Sequence, residues 1–349
     1  YYQVDIPAGL SALNVQVSTG NASNTLLAEL VDPATGEAAS TATNGLLVTN
    51  PSGTTQLAPE TGAQLHVLRP AAGRWTLVVD FYGTVSGTAV AQPFTVTIND
   101  TPVTASAAGL PDSASTTLAA GTPVTVPVQV TNGGSTPEAY FVDPRLSTQV
   151  ATALAAQTTS TLTLPNLSGT VPTYLVPSHS TALQTTVSSS KPLFFDYTWT
   201  FGDPDLISTV GTTASGAYSA PEVAPGDWTV TPFLVGPTGK NAAPPVSATV
   251  SMTATAAAFD PAVSSPTGDL WLGSVNAAAS FTPYVVNPGQ TVTIPVTITP
   301  GGTPGSTVTG TLYVDDSSFI PGAVTFNDLA GNFPEGSDVA AFPYEYTVK

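Results

Sequence analysis

The sequence predicts an all-β chain of tandem β-sandwich domains, of the jelly-roll or immunoglobulin-like kind. Three observations predict it: strand-period patterning nearly everywhere, dense proline and glycine punctuation, and internal repetition. Leu13-Asn14-Val15-Gln16-Val17, Trp75-Thr76-Leu77-Val78-Val79 and Phe94-Thr95-Val96-Thr97-Ile98 alternate apolar with polar residues or run β-branched between turn formers. Residues 124–130 (VTVPVQV) do the same, with Pro127 marking an edge strand or a bulge. Helical periodicity is weak. Its best candidate, residues 148–156 (TQVATALAA), is short, lacks caps and runs into threonines. With 33 prolines and 30 glycines setting turns in 349 residues, an array of sandwiches is the natural architecture.

Composition bounds the function classes. Hydrophobic residues make up 42% of the chain, enough to build cores, and the length suits two to four domains. Only 8% of residues are charged, against about 25% in an ordinary soluble domain. Six Lys and Arg face 23 Asp and Glu, for a net charge of −17. Such a surface repels phosphate backbones and anionic lipid heads, which argues against nucleic-acid and membrane partners. The chain has no cysteine, so disulfides, thiolate metal sites and thiol nucleophiles are excluded together. Eukaryotic secreted modules of this size often carry disulfides, so their absence leans towards a bacterial source, and the Ala/Thr/Val/Gly/Pro-rich composition is that of exported, extracellular proteins of high-GC bacteria. No stretch reaches the ~18 apolar residues of a membrane span. The opening Tyr1-Tyr2-Gln3-Val4-Asp5-Ile6 reads as a strand already under way, so the chain is expected to be part of something longer.

The repeats supply the domain organisation. Residues 121–134 (GTPVTVPVQVTNGG) align without a gap on residues 289–302 (GQTVTIPVTITPGG), and Phe141-Val142-Asp143 then matches Tyr313-Val314-Asp315. A second pair matches Pro7–Ser18 with Pro177–Ser188, then Leu30-Val31-Asp32-Pro33 with Phe201-Gly202-Asp203-Pro204, and Gly73-Arg74-Trp75-Thr76 with Gly226-Asp227-Trp228-Thr229. The expected order is A-B-A-B, with sandwiches over residues 1–100, 101–165, 166–254 and 255–349.

The A modules, with Val4-Asp5-Ile6-Pro7-Ala8-Gly9, Gly202-Asp203-Pro204-Asp205-Leu206 and Pro225-Gly226-Asp227-Trp228-Thr229-Val230, resemble bacterial pre-peptidase C-terminal domains. The B modules resemble the fibronectin-III-like or CARDB-like modules found beside them. The whole order, ending in Phe342-Pro343-Tyr344-Glu345-Tyr346-Thr347-Val348, resembles the non-catalytic C-terminal region of secreted actinobacterial-type subtilisin-like serine proteases. That resemblance implies an accessory role in stability, spacing or substrate docking. It also implies the parent's catalytic domain and polymeric protein substrate as partners. The first A copy departs from the pattern, since Asp32-Pro33-Ala34-Thr35 lacks the second Asp.

Few residues carry chemistry. A Ser-His-Asp peptidase site needs a serine in a Gly-Thr-Ser context, and no Gly-Thr-Ser occurs. His66 sits in an alternating strand and reads as a packed or solvent-side residue. His179 lies between Ser178 and Ser180 in a turn, where neighbours rarely point at one another. No catalytic or cofactor-binding residue is expected. Asp203 and Asp205 flank a proline and could begin a calcium site, or serve an Asx-turn that satisfies local N–H groups. Asp315 and Asp316 make a poorer pair, because adjacent strand residues face opposite ways. Trp75 and Trp228 occupy equivalent repeat positions and read as core. Trp199, Trp271, Tyr197 and Phe194-Phe195 read as core or as an aromatic platform for sugars. The competing readings are a cell-surface or adhesin-type stalk and a carbohydrate-binding array.

Overall fold

The computed structural model describes all residues except 11, 35, 37, 50–54, 83–91, 100–102, 135, 166–169, 200–201, 221–222, 224, 237–243 and 321–332. The described chain is all-β, its one helical piece being a short 3₁₀ turn at Trp271–Ser274. The helix candidate at residues 148–156 is strand instead over most of its length. It completes Glu138–Ala153, where Gln149–Ala153 pair residue by residue with Thr253–Ala257. Ladder pairing with that strand outweighs the weak local preference of a threonine-bounded alanine stretch.

Residues 1–99 form a first lobe. Tyr2–Ile6, Gly73–Tyr82, Thr25–Val31 and Ala38–Thr43 make one sheet, and Gly62–Leu68, Ala12–Thr19 and Phe94–Asn99 make the facing one. Period-2 alternation turns Leu13, Val15 and Val17 inward against Leu26, Leu30, Trp75 and Leu77. The Trp75 indole donates to the Ala71 carbonyl at 2.8 Å, so its one polar atom is satisfied.

The two B segments, expected as separate sandwiches, instead build one. Val124–Asn132 pairs antiparallel with Thr291–Ile298, and Phe141-Val142-Asp143 pairs with Asp315-Val314-Tyr313. Residues from both segments share a single core of Val126, Val128, Tyr140, Ile294, Val296, Leu312, Val314 and Tyr344. The first B segment is short for a free-standing sandwich, and the repeated strands of the two segments complete each other. Pro127 stands directly opposite Pro295. Neither nitrogen can donate, which fits the non-hydrogen-bonded pair position of an antiparallel ladder. Val124–Asn132 is an inner strand, not the expected edge. Its outer neighbour Val103–Ala107 stops opposite Val128, so no donor is missed at Pro127.

The third lobe lies between the B segments in sequence and is continuous with their sheet. Glu138–Ala153 pairs with Thr307–Ile320 through its first half and with Val246–Phe259 through its second. The sheet then continues through Ser180–Trp199, Gly226–Leu234 and Thr173–Val176. Its core gathers Leu183, Val187, Phe195, Tyr197, Trp228, Val230, Val250 and Met252, and also takes in Leu154, Leu162 and Leu164. The expected boundary at 165 therefore falls after residues that belong to this core.

Trp75 and Trp228 are each at most 1% exposed. Trp75→Ala and Trp228→Ala are expected to destabilise their own lobes by about 3–5 kcal/mol each, read as lowered denaturant midpoints. Double substitution adds the two losses, because separate cores share no partners.

Candidate functional site

The chemistry-bearing residues converge where the lobes meet. Register decides which face each takes. Tyr140 lies opposite Asp316, Phe141 opposite Asp315 and Asp143 opposite Tyr313. Cross-strand partners share a face, so Glu138, Tyr140 and Asp316 form one set and Phe141, Asp143, Arg145, Tyr313 and Asp315 the other. Asp315 and Asp316 face opposite ways, as adjacent strand residues must. All the carboxyls of both sets are buried.

On the first face, His66 from Gly62–Leu68 places Nε2 3.1 Å from Asp316 Oδ2 and Nδ1 2.6 Å from Asn14 Oδ1. Both ring nitrogens are thus engaged by oxygens. Asp316 is hydrogen-bonded to the Glu138 carboxyl. Thr136 Oγ1 donates to Glu138 Oε1 at 2.9 Å, and Gln64 Nε2 donates to Thr136 Oγ1 at 3.2 Å. Burial, then the Asp316 charge, pushes the Glu138 carboxyl well above the ordinary carboxylate range.

On the second face, Arg145 Nε donates to Asp143 Oδ1 at 2.5 Å and Nη1 to the Ala257 carbonyl at 2.9 Å. Its guanidinium stacks 3.8 Å above the Phe259 ring. Ser178 Oγ donates to Asp143 Oδ2 at 3.3 Å. Asp269 is hydrogen-bonded to Asp143 through its carboxyl, and its Oδ1 accepts from the Trp271 N–H at 2.8 Å. Burial, then the Asp143 charge, raises Asp269 well above its usual range. Although burial opposes it, the Arg145 charge with hydrogen bonds from Asp269 and Arg145 holds Asp143 below its usual range.

The third group repeats the scheme. A register irregularity after Val314 sets Asp315 directly opposite Asp338, where two charges would repel. The pair is hydrogen-bonded instead, and burial followed by the Asp338 charge raises Asp315. The Trp271 indole donates to Asp315 Oδ2 at 3.2 Å. His179 Nε2 lies 3.5 Å from Asp338 Oδ1, and its ring stacks on Tyr313 at 4.0 Å between centroids.

Each group thus joins one basic side chain and two carboxyl groups, the last named of which burial and its neighbour raise: His66–Asp316–Glu138, Arg145–Asp143–Asp269 and His179–Asp338–Asp315. A second observation marks where the shared protons sit. Asp269 Oδ2, Asp315 Oδ1 and Asp316 Oδ1 are buried and meet no ordinary N–H or O–H donor. A carboxyl proton carried by Asp269 and by Asp315, or given to Asp316 by Glu138, accounts for such oxygens.

His66 is packed, as its strand position implies. The serines beside His179 do not pair with it: Ser178 donates to Asp143, and Ser180 Oγ to the Pro177 carbonyl at 2.7 Å. Trp271, Tyr197 and Phe195 are buried, so they form no sugar platform; the Trp199 side chain lies outside the described residues. Around Asp203 and Asp205 the backbone Gly202–Ile207 runs as strand against Ser180–Trp199, not as the expected tight turn. Their side chains lie outside the described residues. No group of three or more His, Cys, Asp or Glu among the described residues is arranged to hold a metal ion. None of their helices is long and apolar enough to cross a membrane. Sequence reasoning passed over Glu138, Asp143, Arg145, Asp269 and Asp338. Their signal was charge inside apolar strand patterns, as in residues 138–145 (EAYFVDPR).

No family model and no curated protein matches the chain. Among solved structures it is similar to tripeptidyl peptidase 2, at 7% identity and a TM-score of 0.23, over 99% of this chain and 28% of that one. It is also similar to a structure of infectious bursal disease virus Gx strain, at 11% identity and a TM-score of 0.18, over 83% of this chain and 64% of that one. The chain spans under two thirds of either. Likeness at these scores carries no argument about function.

The shared protons fix the sign of the pH dependence. Glu138, Asp269 and Asp315 titrate higher folded than unfolded, as do Glu29, raised to about 7 by burial and then Asp80, and Asp227, raised to about 8 by burial. Each contribution is complete below the ordinary carboxyl range and is lost as pH rises through the folded value. Asp143 has the opposite sign, and its contribution is lost only in stronger acid. The melting temperature is therefore expected to peak at about pH 4–5 and fall through about pH 7–8. Calorimetry across that range checks it; a maximum at the alkaline end contradicts it.

Proposed function

We propose that this chain is a non-catalytic accessory region of a secreted bacterial subtilisin-like serine peptidase, serving stability and spacing and offering a surface for polymeric protein substrate. The parent's catalytic domain is its partner in this reading. The observation that carries it is the pair of Trp-bearing strand motifs. Gly73-Arg74-Trp75-Thr76 and Gly226-Asp227-Trp228-Thr229 resemble the same protease-associated motif, and both fold as core strands of their own lobes.

The use made of the reactive side chains supports the same reading. The histidines contact aspartates at lobe junctions, and the serines flanking His179 are committed to Asp143 and to backbone. Among the described residues, these groups are engaged in holding structure. Low cation content adds a further advantage. With six Lys and Arg in the chain, trypsin-like cleavage points are few, and little positive charge accumulates in acid.

Two measurements test this. The isolated chain, incubated with fluorogenic peptide and casein substrates, is expected to give no hydrolysis above buffer; turnover abolished by a serine-directed phosphonate overturns the reading. The reading frame that encodes Tyr1 is expected to encode Asp, His and Ser peptidase motifs upstream. A frame that opens with a signal peptide directly before Tyr1 supports a stalk or binding module instead.

A further inference from the structure

The first lobe is held differently from the third. The third shares a continuous sheet with the central sandwich. No strand of residues 1–99 pairs with a strand beyond them, and no backbone hydrogen bond among the described residues crosses between the two. The chain passes between them once, from Asn99 to Val103. Side chains therefore make the seat, and its polar centre is Gln64 on Thr136 and His66 on Asp316.

We propose that the first lobe is a pH-released latch: it stays seated while Glu138 keeps the proton it shares with Asp316, and it unseats, still folded, when that proton is removed. With that proton present the Glu138–Asp316 pair carries a single negative charge. Removing it leaves two buried carboxylates side by side, and Arg145 lies on the opposite face of the ladder. The titratable groups facing Glu138 among the described residues are Asp316 and Tyr140, with His66 beyond Asp316. Two buried like charges side by side are costly, and parting the seat hydrates both.

The lobe is equipped to survive release. Its own core of Leu13, Val15, Leu26, Leu65, Trp75 and Leu77 lies within residues 1–99 and does not include the seat. The alkaline direction also matches the burial of Glu138, whose carboxyl is raised well above its usual range.

Small-angle scattering of the intact chain, with far-ultraviolet circular dichroism on the same samples, tests the latch. Between about pH 5 and about pH 9 the radius of gyration is expected to rise reversibly, by roughly a tenth, while the β-sheet signal is kept. Glu138→Gln preserves an N–H donor towards Asp316 without a titratable proton, and it is expected to shift the expansion to higher pH or suppress it. A wild-type radius that stays constant overturns the proposal, whether or not the variant folds. Expansion accompanied by loss of the sheet signal overturns it too, as does a folded Glu138→Gln variant that expands at the wild-type pH.

Discussion

A carboxylate packed beside a buried carboxylic acid is a stable unit only while one proton remains between them, and this chain sets two carboxyls side by side at three junctions. Asp316, Asp143 and Asp338 each take a basic side chain on one side and an acid on the other. The economy suits the composition. With six Lys and Arg against 23 acidic residues, not every buried acid can be matched by a cation. Protonated acids make up the difference. They donate where a lysine or arginine would otherwise be needed, and the desolvation that raises them also holds their protons in place.

The repeats explain why such groups can exist there. Two similar B segments pair with one another about Pro127–Pro295 in one sheet and Val142–Val314 in the other. This brings Asp143 and Asp315, equivalent residues in the repeat, onto the same face of neighbouring strands. Isolated, either acid would be expensive to bury. Together with Asp269, Asp338, Arg145 and His179 they become a connected network between the central sandwich and the third lobe. A network of this kind favours one relative placement of the lobes, since a shift of register would strand several buried groups at once.

Much of the fold was legible because it rests on period-2 patterning. Leu13-Asn14-Val15-Gln16-Val17 turned Leu13, Val15 and Val17 into the first core as its alternation requires, and Trp75 and Trp228 packed where the repeat placed them. The pairing of the two B segments was hidden, because repetition reveals that two stretches are alike and is silent on whether they stand apart or complete each other. Pro127 misled for a related reason: an edge was inferred from the missing N–H, whereas a partner proline and a short outer strand removed the need for a donor. The acid groups were invisible in outline. Asp315 and Asp316 were seen to face opposite ways, but their partners lie on other strands, as far off in sequence as His66. The local Gly-Asp-Pro-Asp signal around Asp203 falls inside the strand Gly202–Ile207, where Gly202, Leu206 and Ile207 pair with Ser180–Trp199 and the register shifts between them.

Whether the three acids hold their protons near neutrality is the point on which the account stands. Carbon-13 spectra of the side-chain carboxyls, assigned with Glu138→Gln, Asp269→Asn and Asp315→Asn, read it directly. The account predicts that Glu138, Asp269 and Asp315 still give carboxylic-acid shifts when solvent-exposed carboxyls have already ionised. If all three instead titrate with the exposed acids, at about pH 4, no proton is shared at the junctions and the account fails.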